Sequence, residues 1–279
     1  MSDSASQSAS SGALPTGWAV TPIAAALGVR VEGPDVSREQ TEEEWAALDR
    51  LYTDHLVLVI SDQTMNAAQH VRFASHFGEP YIHPFLEAVP ESPAILQVLK
   101  EPHEVDTFGG EHWHCDISFE SPPAATSVLY GIEIPPLGGD TMFANQYHAF
   151  DRLSEGFQRM VGELSAHHTY PGMQETDEGA DALHPMVRVH PVSGRRALYV
   201  NGAFVSRIEG LTHEESAPIL RQLFTHQVRP EFQARVTWRP GQVVVWDNRA
   251  TLHHAMNDYS GVRRRLERVT AMERQVSSG

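Results

Sequence analysis

The sequence predicts a mainly β protein: a double-sheet jelly roll with α-helices buttressing one face. Most of the chain after Gly78 consists of short, strand-like segments separated by Gly, Pro, Ser and Asp turns. Helical periodicity is confined to a few segments, and strands and helices do not alternate as they do around a parallel sheet. The apolar fraction of 41% in 279 residues suits one sizeable core.

The first part of the chain supplies the early helices. A stretch rich in Ser, Ala, Gln and Gly predicts a disordered tail at residues 1–17, followed by a single domain at residues 18–279. Thr41 and Glu44 form a capping-box pattern that predicts a helix start. The apolar run at residues 56–60 predicts a buried strand, and a second helix is expected from Asn66 to Phe77 because Gly78 favours a stop.

Beyond Gly78, strand patterns dominate, with helices expected only near residues 146–164 and 212–226. Ser193 and Gly194 lie between two strand-like runs and predict a hairpin turn. The predicted strands are residues 94–99, 126–134, 186–190, 196–201, 233–238, 242–246 and 263–272.

Charge and cysteine content limit the possible functions. The net charge of −15 argues against a general nucleic-acid or membrane-surface binder. No apolar run has the form of a signal peptide or a transmembrane helix, so a cytoplasmic protein without membrane contact is expected. The single cysteine, Cys115, excludes an internal disulfide.

A metal-ligand pattern occurs at His114 and Asp116. In an extended segment these side chains point to the same face, which gives two thirds of a 2-His-1-carboxylate site for iron. The second histidine must come from elsewhere, and His253 or His254 follows the apolar strand 243–246. The alternative is that both histidines only cap the strand or bond to backbone groups.

The basic segment at residues 263–268 indicates an anion site. In a strand, Arg264, Leu266 and Arg268 share one face. Arg263 and Arg265 share the other face, so arginine enters the interior whichever face is buried. A buried arginine needs an anionic partner, and a bound carboxylate offers bidentate pairing. The alternative is a surface strand in which only Leu266 points inward. The turn at residues 138–141 ends in Thr141, whose hydroxyl can help an arginine to hold a carboxylate.

Several motifs in a single order resemble the taurine dioxygenase/TfdA family of Fe(II)- and 2-oxoglutarate-dependent dioxygenases. The resemblance extends from about Val20 to Ala271 and implies a double-stranded β-helix of the cupin type. The motifs are Trp113-His114-Cys115-Asp116, Pro122-Pro123, Gly138-Gly139-Asp140-Thr141, His184-Pro185, His190-Pro191, Gly194-Arg195-Arg196-Ala197-Leu198-Tyr199-Val200-Asn201, Trp246-Asp247-Asn248-Arg249 and Thr251-Leu252-His253.

The resemblance implies roles for particular residues. The iron ligands would be His114, Asp116 and His253, with His254 only a neighbour. Thr141 and Arg264 would hold the distal carboxylate of 2-oxoglutarate, the cosubstrate used together with O2. The substrate site would consist of Arg268 and His83, which bind its acid group, and of Leu86, Tyr170 and Phe204, which line the rest.

The implied reaction is hydroxylation of a small anionic organic acid next to a heteroatom, with release of succinate and CO2; the product then breaks apart. Where the taurine enzymes have a tyrosine and polar groups for the substrate amine, this chain has Leu86 and Gly109-Gly110. An alkyl sulfonate, an alkyl sulfate or an aryloxyalkanoate is therefore expected rather than taurine. Cys115 is expected to pack, because its side chain points away from the metal.

Three other interpretations stay open. The same cofactors could oxidise an amino-acid-like acid in secondary metabolism. The chain could instead be a non-catalytic sensor of iron and 2-oxoglutarate, or a cupin-like binding module with a degenerate site. The intact set His114, Asp116, His253 and Arg264 argues against the last. A homo-oligomer, either a dimer or a tetramer, is also expected.

Overall fold

The protein is described by a computed structural model at residues 12–84, 86–106, 112–170 and 181–274. Strands greatly outnumber helices in these ranges, which confirms the mainly β prediction. The strands are β1 (Ala19–Pro22), β2 (Val29–Glu32), β3 (Val57–Ile60), β4 (Glu79–Pro80), β5 (Ala88–Val89), β6 (Ser92–Lys100), β7 (Ala124–Glu133), β8 (Thr141–Asn145), β9 (Ser165–Thr169), β10 (Asp181–Pro185), β11 (Val187–Val189), β12 (Arg196–Leu198), β13 (Val205–Ile208), β14 (Gln233–Val236), β15 (Val243–Asp247), β16 (Thr251–Ala255) and β17 (Arg264–Met272). The helices are α1 (Glu42–His55), α2 (Ala67–Ser75), α3 (Gln146–Asp151), α4 (Glu155–Gly162) and α5 (His213–His226), with a 3-10 turn at Pro230–Phe232.

Two sheets face each other across the middle of the molecule. The major sheet has the order β1-β2-β3-β15-β7-β17-β6-β5, with β4 paired to β17, and the minor sheet has the order β14-β8-β16. Val57 and Val59 of β3 pack against Phe143 and Val236 of the minor sheet. This layer between the sheets is the inner core.

The opposite face of the major sheet is covered by α1 and α2. Leu58 and Ile60, which alternate with the inner valines of β3, pack with Leu48 of α1 and Phe73 of α2. On β17 the same alternation places Leu266 in the inner core and Val269 under the helices. The face of β17 that carries Arg264 and Arg268 is therefore the interior one, and the surface-strand alternative is wrong.

The predicted helix starts are confirmed at three capping boxes. Thr41 caps α1, Asn66 caps α2 and Thr212 caps α5, each accepting from the backbone N–H three residues later. The prediction of a single helix at residues 146–164 is wrong. One helix, α3, ends at Asp151, and a second helix, α4, begins after the Ser154 N-cap.

The predicted hairpin turn lies between β11 and β12, which pair antiparallel, and Gly194 there has φ 69°. Strands that the sequence patterns did not indicate include β8, β9, β10 and β16. Residues 1–11 lie outside the described residues, so the predicted tail and domain boundary stay predictions. Leu14 packs against the apolar layer between the major sheet and helices α1 and α2. Among the described helices, none has the length and apolarity needed to cross a bilayer.

A buried ion cluster supports the turn between β15 and β16. Asp247 is fully buried and accepts from Arg249 at 2.8 and 2.6 Å and from His190 at 2.9 Å. Burial opposes ionisation of Asp247, but the charge of Arg249 overcomes this and holds the pKa of the carboxyl below its usual range.

Asp247→Asn is expected to lower the free energy of unfolding at pH 7 by about 3 kcal/mol, because it leaves the largely buried Arg249 side chain, 12% exposed, without its counter-ion. The depressed pKa makes this stabilisation complete above the ordinary carboxyl pKa of about 3.9; it is lost as the pH falls further. Urea unfolding of both proteins at pH 7 and at acid pH measures this difference.

Asp151→Asn is the matched control, since Asp151 pairs with Arg195 at 3.3 Å on an exposed surface. Its effect at pH 7 is expected to stay below about 1 kcal/mol. Equal destabilisation by both substitutions would contradict the role given to the buried cluster.

Candidate active site

A cavity of about 540 Å³ opens between the two sheets. Apolar side chains such as Val98, Leu129 and Trp246 form part of its wall. It brings together all ten side chains that the sequence singled out: His83, Leu86, His114, Asp116, Thr141, Tyr170, Phe204, His253, Arg264 and Arg268. Residues separated by up to 185 positions in the chain therefore meet at one place.

The two histidines of the predicted metal site form a backbone pair. The His114 N–H donates to the His253 carbonyl at 3.0 Å, and the His253 N–H donates to the His114 carbonyl at 2.7 Å. Their rings lie 4.2 Å apart between centroids. This isolated antiparallel bridge attaches the His114 segment to β16 of the minor sheet and sets the spacing of the two imidazoles.

Asp116 completes the cluster, although its segment is not the extended strand that the sequence predicted. The chain turns after the bridge, and Ile117 has φ 49°, which is unusual for a β-branched residue. The turn directs the Asp116 Oδ1 atom toward both histidines, at 3.9 Å from each Nε2 atom. Its Oδ2 atom accepts from the Ser127 hydroxyl at 2.6 Å.

The side-chain amide of Asn248 helps to orient Asp116. Asn248 accepts from the Asp116 N–H at 3.0 Å and donates to Ser127 at 3.0 Å. Trp246 donates its indole N–H to the same Asn248 oxygen at 3.0 Å. Ser127, Asn248 and Trp246 were not among the predicted site residues. The motif Trp246-Asp247-Asn248 in the resemblance could have indicated the last two, but no sequence signal pointed to Ser127.

The donor set fits a divalent iron ion. His114, Asp116 and His253 are buried, and their ligand atoms all lie within 4.8 Å of one another. His114 Nδ1 lies 2.9 Å from the His112 carbonyl, which fixes the proton there and leaves Nε2 as a ligand. Burial lowers the pKa of both histidines, and the pKa of Asp116 is about 2, because nearby cations, chiefly Arg268, outweigh its burial.

The other candidate histidine points elsewhere. The His254 ring stacks on Trp113 at 5.5 Å between centroids. Cys115 is buried between Tyr199, Ala144 and Leu252, in keeping with a packing role. Neither side chain belongs to the metal-ligand cluster of the described residues.

Arg264 lies at the end of the cavity beside the Gly138-Gly139 turn. It is 3% exposed, and burial lowers its pKa. Its Nε donates to the Gly139 carbonyl at 3.1 Å, and no carboxylate within the described ranges pairs with it. A Cβ at Gly139 would approach Arg264 to 3.1 Å, so glycine permits this close contact. Thr141 lines the same cavity and accepts from the Trp238 indole at 2.9 Å.

Arg268 lies four residues further along the same face of β17, next to the metal-ligand cluster. It is 8% exposed, and its Nη1 donates to Asp116 Oδ1 at 2.5 Å. His83 faces the same region, and burial together with the charge of Arg268 lowers the pKa of His83 to about 4. A neutral His83 can still donate one hydrogen bond to an anion.

Aromatic rings form another part of the cavity wall. Phe119 is the residue that sequence reasoning missed here: it lies 4.8 Å from Tyr170 and 5.2 Å from Phe204 between ring centroids. Leu86 adds an apolar side chain to the lining. The predicted gap in polar groups at Gly109-Gly110 lies outside the described residues.

The chain is similar to known proteins over nearly its whole length. A family model described as "Taurine catabolism dioxygenase TauD, TfdA family" matches residues 19–270. An alpha-ketoglutarate-dependent sulfate ester dioxygenase of Pseudomonas putida is 32% identical, with 90% of this chain and 88% of that protein covered. The corresponding 2,4-dichlorophenoxyacetate dioxygenase of Cupriavidus pinatubonensis is 30% identical, covering 91% and 98%. The crystal structure of a taurine dioxygenase from Burkholderia xenovorans superposes with a TM-score of 0.81 at 33% identity, covering 92% and 90%.

Proposed function

Since the chain belongs to the TauD/TfdA family of Fe(II)- and 2-oxoglutarate-dependent dioxygenases, we propose that it hydroxylates a small organic acid at the carbon next to a heteroatom. The favoured substrates are alkyl sulfates and alkyl sulfonates, with aryloxyalkanoates as the related class. The observation that carries this proposal is the cavity itself, which combines the His-Asp-His cluster, two buried arginines and an apolar wall.

His114, Asp116 and His253 are proposed to hold the iron. When bound, Fe(II) supplies activation of O2 coupled to conversion of 2-oxoglutarate into succinate and CO2. Arg264 and Thr141 would bind the distal carboxylate of 2-oxoglutarate, since Arg264 is buried, cationic and not paired with a carboxylate among the described residues. The protein would thus orient the cosubstrate by its far end.

Arg268 and His83 are proposed to bind the acid group of the substrate. Leu86, Tyr170 and Phe204, held together by Phe119, would enclose the tail and exclude water from the reacting carbon. Hydroxylation of the carbon that bears a sulfate ester oxygen gives a hemiacetal ester, which separates into an aldehyde and sulfate. In this scheme Asp116 and the two histidines would act only as ligands of the metal.

Two of the relatives named above support a substrate without an amine, since one is named for sulfate esters and the other for 2,4-dichlorophenoxyacetate. Among the described residues, Leu86, Tyr170 and Phe204 carry no charge, so an ammonium group beside them would lose its hydration without gaining a counter-ion. Every methylene that packs there favours binding by about 0.8 kcal/mol. A dimeric or tetrameric assembly stays a prediction.

The test is a substrate panel that measures succinate formed with Fe(II) and 2-oxoglutarate. Hexyl sulfate and 1-hexanesulfonate are expected to give kcat/KM at least about tenfold above taurine, the equivalent of two buried methylenes. A 4-chlorophenoxyacetate arm reports the aryloxy class, and an amino acid with a hexyl side chain reports the amino-acid alternative. If taurine or the amino acid gives a higher kcat/KM than hexyl sulfate and 1-hexanesulfonate, the proposed pocket is wrong.

A further inference from the structure

The ion pair between Arg268 and Asp116 joins the two halves of the cavity. Asp116 has one oxygen, Oδ2, held by Ser127, while Oδ1 faces both histidines and also accepts from Arg268 at 2.5 Å. The oxygen offered to the metal is therefore the same oxygen that binds the guanidinium. A divalent ion and Arg268 must share it or compete for it.

Arg268 also has donors that this ion pair does not use. Its Nε is buried and has no hydrogen-bond partner among the described residues. The residue is 8% exposed, lies on the wall of the main cavity, and borders a narrow recess that His83, Leu86 and Ile117 also line. A buried N–H without a partner costs free energy, and an anion in the cavity would remove that cost.

We propose that Arg268 couples the acid group of the substrate to the strength of metal binding. Without an anion, its positive charge competes with the metal for Asp116 Oδ1 and weakens metal binding. When a sulfate or sulfonate pairs with the guanidinium, that competition decreases and the metal binds more tightly. By thermodynamic linkage, the metal strengthens anion binding by the same factor.

The coupling rests on the proposed function, because it requires that Arg268 bind the substrate acid. It goes beyond that role, since it makes Arg268 a determinant of metal affinity as well as of substrate affinity. Arg264 offers a matched comparison: it lies on the same face of β17 and is also buried, but no described carboxylate pairs with it.

The experiment measures Mn(II) binding to the metal-free full-length protein by electron paramagnetic resonance, without 2-oxoglutarate. In the wild-type protein, saturating 1-hexanesulfonate is expected to lower the Mn(II) dissociation constant on the order of tenfold. Calorimetric titration of 1-hexanesulfonate with and without Mn(II) should give the same factor. Neither titration requires a variant, so a failure of any variant to fold leaves this arm intact.

Two variants separate reduced competition from simple attraction between the anion and the metal. Without any anion, Arg268→Gln should bind Mn(II) more tightly than wild type, again on the order of tenfold, and should not respond to 1-hexanesulfonate. Arg264→Gln should keep the wild-type Mn(II) affinity and the wild-type response. Both patterns together support the coupling.

Other results would overturn it. If 1-hexanesulfonate binds the wild-type protein but leaves Mn(II) affinity unchanged, Arg268 recognises the acid without coupling, and the proposed function stands. If 1-hexanesulfonate does not bind, the proposed substrate class fails, and the coupling fails with it. Unchanged or weaker Mn(II) binding by folded Arg268→Gln without an anion contradicts the competition at Asp116.

Discussion

His253→Ala is expected to abolish turnover and to weaken Mn(II) binding by at least about a hundredfold. Replacing a residue that only hydrogen-bonds to a metal ligand already lowers metal affinity about 10- to 100-fold, and loss of a ligand itself should cost more. His253 offers Nε2 at 3.9 Å from Asp116 Oδ1, and its backbone bridge to His114 should survive truncation of the side chain. The protein should therefore stay folded while losing the metal. Electron paramagnetic resonance of Mn(II) and a succinate assay measure the two effects.

His254→Ala is the matched control, since this neighbouring imidazole stacks on Trp113 instead of joining the cluster. It is expected to keep Mn(II) affinity within a few-fold of wild type and to keep most of the activity. If His254→Ala loses the metal while His253→Ala retains it, the second histidine ligand has been assigned to the wrong residue.

Arg264→Lys is expected to raise the apparent KM for 2-oxoglutarate by about 10- to 100-fold, equivalent to roughly 1.4–2.8 kcal/mol. Lysine keeps the positive charge but cannot form the two parallel hydrogen bonds of a guanidinium. Succinate formation across a series of 2-oxoglutarate concentrations gives the KM.

Arg265→Lys is the matched control, because it also replaces a guanidinium by an ammonium group on β17. Arg265 pairs with Glu267 at 2.6 Å on the other face of β17, so its replacement should leave the KM for 2-oxoglutarate unchanged. If Arg264→Lys weakens only the primary substrate, the roles assigned to Arg264 and Arg268 are exchanged.

Local signals explain which parts of the fold could be predicted. Thr41 and Asn66 mark helix starts through hydrogen bonds to residues three positions away, so the sequence contains the whole motif. Strand β9 was missed because its residues, Ser165–Thr169, include two histidines and no run of large apolar side chains. Its pairing with β10 and β13 is decided by distant segments.

In the candidate site too, local sequence patterns predicted some features, and contacts between distant residues decided the others. Alternation along β17 predicted that Arg264 and Arg268 share a face, and packing then decided that this face is the interior one. Phe119 could not be identified, because its role in the aromatic wall depends on contacts with Tyr170 and Phe204 that form only in the folded protein. The Arg268–Asp116 pair likewise joins residues 152 positions apart.

The backbone bridge between His114 and His253 also has a consequence for metal choice. The main chain holds the two proposed imidazole ligands at a set spacing before any ion binds. Imidazole is a ligand that the later divalent metals also favour, so affinity should follow the ordinary order, in which Co(II), Ni(II) and Cu(II) exceed Fe(II). Correct loading is therefore set by which ion is supplied, and traces of nickel or copper should inhibit the protein by displacement.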